Sequence, residues 1–384
     1  MALTRRGWPA LATALLLASA VLAGCGSGGG TASSGSTVSA SGLSTAEKKV
    51  AALQAGVSDY PVPTTDVRGV AGFKGRKVYY IPFLQQIPAF ADAARSMREA
   101  LARAGLSQQV CDGKAQPSAI AACVQQAIAA DAAGIILEAV PYGMAQNALD
   151  TAKDKGIPIV VADQDPPAGF TNSNQVAYIP GATTQASAIA WWVIADSRGK
   201  ADLIITESAD NPSATKYVTD SLPIYKKYCP GCTVEVKVIT ASTPALLASN
   251  ASSNILANPK ATYYFTQFED SLQPTIQGIQ QSGRASGISL SVTAGSVNGL
   301  GLLKGDSAVK AVVAVDMAYA GYAMTDQILR MMTSSGPVEE TFPMRLFTEQ
   351  NIAGIKVTAA AQTSGEWFGD ASFHEDFARL WGVS

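Results

Sequence analysis

The sequence predicts an α/β protein of two similar lobes, each a largely parallel sheet covered on both faces by helices. Three observations carry this. From residue 76 onward, short apolar runs alternate with longer segments whose apolar residues recur at three- and four-residue spacing. Near residue 180 the alternation restarts, which argues for two successive series rather than one long sheet. A chain of 384 residues with 47% hydrophobic composition is also long enough for two cores of ordinary size.

The first 75 residues stand outside this pattern. In residues 1–24, Arg5 and Arg6 form a positive n-region, residues 10–23 are apolar but too short to span a bilayer comfortably, and Leu22, Ala23 and Gly24 lead into Cys25. This resembles a bacterial lipoprotein signal with its lipobox, which implies cleavage before Cys25, acylation of that cysteine and attachment to the membrane through the lipid. An ordinary secretory signal with a chance cysteine is the alternative. Residues 25–43 are almost all Gly, Ser, Thr and Ala after the cysteine, too poor in apolar surface to order themselves, and read as a flexible tether holding the body outside the cytoplasmic membrane. Residues 44–75 form an N-terminal extension. Ser44 with Glu47 three residues later reads as the start of a short helix to about Gln54, and Tyr60, Pro61, Val62 and Pro63 force extended backbone after it. The formal net charge is −2, or −4 once the two signal arginines are removed, and no Lys/Arg-rich patch stands out. A nucleic-acid partner or an anionic membrane surface therefore has no electrostatic support.

The first lobe opens with RKVYYIPFLQQIPAFADAARSMREALARAGL, residues 76–106. A strand at 78–81 leads through a short loop of amide and aromatic side chains into a helix with Phe90, Ala94, Met97, Leu101 and Ala104 on one face, ended by Gly105. Ligands of open α/β sheets bind beyond the carboxyl ends of the strands, so loop 82–88 is the first candidate for ligand contact. A strand at 108–111, a helix at 117–130, an apolar run at 134–137, a helix at 142–155 closed by Gly156 and a buried strand at 157–161 follow, with one more short strand at 176–178. The second series has helices at 182–197, 214–228, 244–257 and 272–282 and strands at 201–206, 233–239, 262–266 and 288–293. A strand at 309–315, a helix at 319–332 and an extended return at 339–347 complete the pattern.

Export makes the even set Cys111, Cys123, Cys229 and Cys232 candidates for disulfides. Sequence proximity suggests Cys111 with Cys123 and Cys229 with Cys232. The CPGC run could instead be a redox motif, but such a site follows a strand and opens a helix, whereas here a helix-like segment precedes and a strand follows. The reading is a turn staple. The chain has one histidine, His374, far from these cysteines, which disfavours zinc, and no metal or cofactor is expected. No GxSxG, no credible triad and no GxxxxGK[ST] occurs, so an enzyme is not expected.

The order of elements resembles the type I periplasmic binding proteins, specifically the sugar-binding branch related to the ribose-binding protein. The carrying segments are VYYIPFLQQIPAFADAARSMREAL, AGIILEAVPYGMAQNALDTAKDKGIPIVVADQD and YYFTQFEDSLQPTIQGIQQSG, while VVAVDMAYAGYAMTDQILR and FPMRLFTEQNI are similar to actinobacterial members. The resemblance covers roughly four fifths of the chain. It implies two Rossmann-like lobes joined by a three-strand hinge, with the ligand held in the cleft and closure by hinge motion. Family spacing puts residues 76–179 and 316–346 in lobe one and residues 180–315 and 347–384 in lobe two. A monomer serving an ABC permease is implied, with a ligand sensor for a membrane receptor or kinase as the alternative.

A sugar or polyol site needs carboxylates and amides for the hydroxyls and flat side chains for the carbon face. Asp163 and Gln164 end the buried strand where the family commonly has an acid followed by arginine; a turn residue or helix cap is the other reading of Asp163. Phe83, Gln85, Gln86 and Phe90 are the candidates of the opening loop. In the second lobe the candidates are Asn211, Lys216 near the family arginine, Phe268 and Glu269 where an asparagine-aspartate pair is frequent, and Ser296 in place of an acid. Asp316 lies at the last hinge beside Val315, which stands where the family has a glutamine. Each departure removes hydrogen-bonding or charge capacity, so a reduced sugar, a polyol or a partly apolar ligand fits as well as a common aldose. Trp191 and Trp192 read as core packing, whereas Trp367 and Phe368 admit a place on the rim.

Overall fold

The structure is a computed structural model that describes residues 40–383 apart from 182, 183, 241, 242, 294 and 306. The signal segment, Cys25 and the tether as far as residue 39 lie outside the described residues. After α1 (Ala40–Gln54), the first series runs β1 (Lys77–Pro82), α2 (Pro88–Arg103), β2 (Ser107–Val110), α3 (Pro117–Ala129), β3 (Gly134–Glu138), α4 (Gln146–Asp154), β4 (Ile159–Ala162) and β5 (Val176–Ile179). The second runs α5 (Gln185–Asp196), β6 (Asp202–Ser208), α6 (Pro212–Tyr228), β7 (Thr233–Ile239), α7 (Leu247–Ala257), β8 (Tyr263–Thr266), α8 (Leu272–Gln281), β9 (Ser289–Thr293), α9 (Val297–Lys304) and β10 (Val309–Val315). The chain ends with α10 (Met317–Met332), β11 (Met344–Thr348), α11 (Ala359–Ser364) and α12 (Phe373–Leu380).

Two sheets result. One has the order β2-β1-β3-β4-β5 and is parallel throughout; the other has the order β11-β10-β9-β8-β6-β7, parallel except where β11 returns antiparallel to β10. β1 and β3 to β5 are buried almost end to end, as strands covered on both faces must be. Helices start where the sequence supplies the right first residue: α2, α3 and α6 open on proline, whose missing N–H costs nothing there. Asp316, Ser296 and Asn211 cap α10, α9 and α6 through their side-chain oxygens.

The chain passes from the first lobe to the second after β5, and α10 returns to the first lobe. There α10 lies against α2 so closely that a Cβ at Gly321 would stand 2.7 Å from the Met97 backbone nitrogen. Residues 347–384, assigned as a whole to lobe two by family spacing, divide in the structure. Trp367 and Phe368 are buried in the second lobe's core, not on a rim, whereas Phe373, Phe377 and Trp381 pack into the first lobe's core with Tyr319 and Tyr322. Aromatic surface on α12 thus overrides chain order.

The extension behaves likewise. Helix α1 already includes Ala40, four residues before the Ser44 start read from the sequence, and Ala46, Val50 and Leu53 pack on the second lobe beside α5. Tyr60, Val67 and Val70 are buried in the first lobe. Arg330 on α10 pairs with Asp326 at 2.5 Å and donates to the Thr65 carbonyl at 2.7 Å, and Trp381 donates to Asp326 at 2.7 Å. This buried group fastens the extension and α12 to the same helix. The structure pairs Cys111 with Cys123, between β2 and α3, and Cys229 with Cys232 at the turn from α6 to β7. Trp192 is buried against Tyr263, and Trp191 rests on Tyr228.

Candidate functional site

Between the carboxyl ends of the two sets of strands lies a cavity of about 210 Å³. The first lobe contributes Phe83 after β1, Ile87 and Phe90 at the start of α2, Ala139 after β3 and Asp163 after β4. The second contributes Ser208, Asp210 and Asn211 after β6, Tyr217 on α6, Phe268 to Asp270 after β8, and Thr293 and Gly295 around the end of β9. Val313, Val315 and Met317, at the passage from β10 to α10, also line it. The lobes touch across this space: Asn211 Nδ2 donates to the Ala139 carbonyl at 3.3 Å and Ser213 Oγ to Gln164 Oε1 at 3.4 Å.

Asp163 is the distinctive polar group. Its backbone is left-handed, with φ of 55°, which aspartate tolerates better than most residues. Its carboxylate accepts no hydrogen bond from any described residue, and burial pushes its pKa up to about 6. Glu138 sits behind it, fully buried at the end of β3 and hydrogen-bonded to the Tyr80 hydroxyl; burial, then the neighbouring Asp163 charge, push its pKa well above the usual carboxylate range. Gly181 closes this corner. A Cβ there would collide with Asp163 Oδ1 and stand 2.7 Å from the Tyr217 hydroxyl, so the backbone itself forms the wall.

The other polar groups are largely engaged with the protein. Glu269 accepts from the Ser296 hydroxyl and from the amides of Gly295 at 3.2 Å and Gly299 at 3.1 Å, bracing the start of α9. Asn211 caps α6, Thr293 donates to the Gln267 carbonyl, and Gln267 ties Ser208 N to the Ala214 carbonyl. Asp270 accepts from the Ser271 hydroxyl, and burial raises its pKa.

Of the sequence candidates, the structure brings together Phe83, Phe90, Asp163, Asn211, Phe268 and Glu269 on the cavity. It places the others elsewhere. The Gln85 backbone N–H donates to Asp112, and Gln86 is exposed with its side-chain amide toward the same carboxylate, because the loop turns onto the β2–α3 connection. Gln164 is buried and holds its own strand end to Ser213. Lys216 is exposed and paired with Asp220, with Asp165 at 3.9 Å, since its position on α6 points outward. Ser296 braces Glu269 behind the wall. Asp316 is fully buried as the cap of α10, bound to Tyr319 N at 3.0 Å and the Tyr60 hydroxyl at 3.0 Å. Tyr217, Gln185, Ser208 and Met317 line the cavity without having been singled out. Tyr217 lies one residue from Lys216, so a one-residue helical register separates the outward charge from the inward ring.

A family model described as a periplasmic binding protein domain matches residues 78–336. Among solved structures, a 5-methylthioribose transporter solute-binding protein from Thermotoga lettingae superposes with TM-score 0.67 at 15% identity, covering 79% of this chain and 96% of its own. A sugar ABC transporter protein from Yersinia enterocolitica gives TM-score 0.67 at 18% identity, with 84% and 98% covered. A Caulobacter myo-inositol-binding protein gives 0.64 at 14%, with 77% and 98% covered. No curated protein matches the chain.

Proposed function

We propose, from the premise that this chain belongs to the periplasmic binding protein domain family, that it is a lipid-anchored solute-binding protein that captures a small ligand in the cleft for an ABC importer. Members of this family are extracytoplasmic binding proteins rather than enzymes. The observation that carries the reading is the cavity between the strand ends, which joins a carboxylate with no hydrogen-bond donor among the described residues to aromatic walls. In this reading the passages near residues 179 and 315 are hinge crossings. Phe83, Phe90 and Phe268 pack on the ligand's carbon skeleton, Asp163 accepts its hydrogen bonds, and Asn211 and Glu269 hold the second wall in place. Solved proteins of this fold bind 5-methylthioribose and myo-inositol, which supports a ligand of sugar or polyol size. Anchorage rests on the lipobox before Cys25. The protein acts as a monomer, and the closed form is what the permease receives.

A thermal-shift screen over sugars, polyols and their derivatives tests this, because binding to the native state alone raises the midpoint. The expected result is at least one hit that Phe90→Ala and Asp163→Ala both weaken, without turnover of the compound. Hits insensitive to both substitutions would remove the ligand from this cleft.

A further inference from the structure

The balance of hydrogen-bonding capacity around the cavity is one-sided. Four carboxyl groups line it, Asp163, Asp210, Glu269 and Asp270, and no Lys, Arg or His is among the described lining residues. Several donors nearby are taken, the Asn211 amide by Ala139, the Thr293 hydroxyl by Gln267, the Ser208 hydroxyl by Asp210 and the Ser213 hydroxyl by Gln164, which leaves the Tyr217 hydroxyl and the Gln185 amide to set against four carboxyl groups. Among the described residues none donates a hydrogen bond to the Asp163 carboxylate. A neutral sugar asks a site for donors as well as acceptors, since each hydroxyl does both. An ammonium group offers three donors and no acceptor, and carries the charge that this wall lacks. Phe83, Phe90, Tyr217 and Phe268 add ring faces, which attract a cation and also pack on carbon.

We infer that the ligand of this cleft carries a protonated amine on a sugar- or polyol-sized body, seated with its ammonium at Asp163. This rests on the reading of the cleft as the ligand site and narrows the ligand class within it. Closure over such a cation places opposite charge beside Asp163, a cavity carboxylate that no described residue partners.

Titration calorimetry of the purified protein with matched probes near neutral pH decides the point: D-glucosamine against D-glucose, and glucamine against sorbitol. The amine of at least one pair is expected to bind about tenfold more tightly than its neutral partner. Asp163→Asn is expected to erase that preference, bringing the pair to similar affinity. Circular dichroism of the variant separates lost selectivity from lost folding, and Asp163→Glu, which keeps the charge, should retain part of the preference. Neutral partners binding as well as the amines would overturn this inference while leaving the cleft as the ligand site. Amine binding unaffected by Asp163→Asn and Phe90→Ala would overturn both. Failure of every probe at millimolar concentration would overturn the amine assignment even if other neutral sugars bind.

Discussion

Asp163 is held in an unfavourable charge state in the unliganded protein. A carboxylate whose pKa rises from 3.8 to about 6 on folding destabilises the fold at neutral pH; the penalty is complete above about pH 6 and is relieved as pH falls from about 6 toward 3.8. Asp163→Asn should therefore stabilise the apo protein by about 1–3 kcal/mol near pH 7.5, with the gain vanishing below about pH 4, as measured by urea unfolding at several pH values. Equal gain at every pH would show that the charge is not the cause. The same substitution should weaken a ligand that uses this carboxylate by about 1–3 kcal/mol. Glu138 and Tyr217 face the group from β3 and α6, and Lys216 beyond Asp165 is too exposed to relieve it. Gly181→Ala should also lower affinity, because the methyl group displaces either Asp163 or the Tyr217 ring; calorimetry reads it directly. Asp163 was legible because an apolar run ending in a polar residue marks a strand end, and Phe90 because it lies just past the loop that follows such a run. Glu138 was not, because nothing in GIILE distinguishes a buried acid from the start of a loop.

At the scale of elements, alternation of apolar runs identified the strands of both sheets, since period and length are local properties. The destinations of α1 and α12 were not local. Both are amphipathic pieces whose partner is set by which lobe leaves an apolar face open, and only the packed structure specifies that. Tyr60 shows the energetic side of this docking. Its hydroxyl donates to Asp316, whose pKa is raised to about 7 by burial, against the lowering effect of the Tyr319 amide and Tyr60. Tyr60→Phe should cost about 1–3 kcal/mol above pH 7, where Asp316 is ionised, and less at pH 6; chemical denaturation at the two pH values checks it. Replacing both Cys111 and Cys123 by serine should cost about 3 kcal/mol, and replacing Cys229 and Cys232 about 2, following the lengths of the loops they close.

At the scale of the whole molecule, a ligand should draw the lobes together and reduce the radius of gyration seen by small-angle scattering, and Cys25→Ser should release the protein from the membrane fraction. The structure also shows contacts that span the lobes away from the cavity: Gln362 on α11 bonds Asp92 on α2 while accepting from Val297 N at 2.8 Å. The extension spans them too, with α1 against the second lobe and Tyr60, Val67 and Val70 in the first. A strap attached at both ends is part of the open–closed equilibrium. If its contacts are better in one state by about 1.4 kcal/mol, the fraction of closure-competent molecules shifts about tenfold, and apparent affinity shifts with it although no cleft residue has changed. In that case variation in the extension would tune how dilute a ligand the protein can collect, while its choice of ligand stays with the cleft.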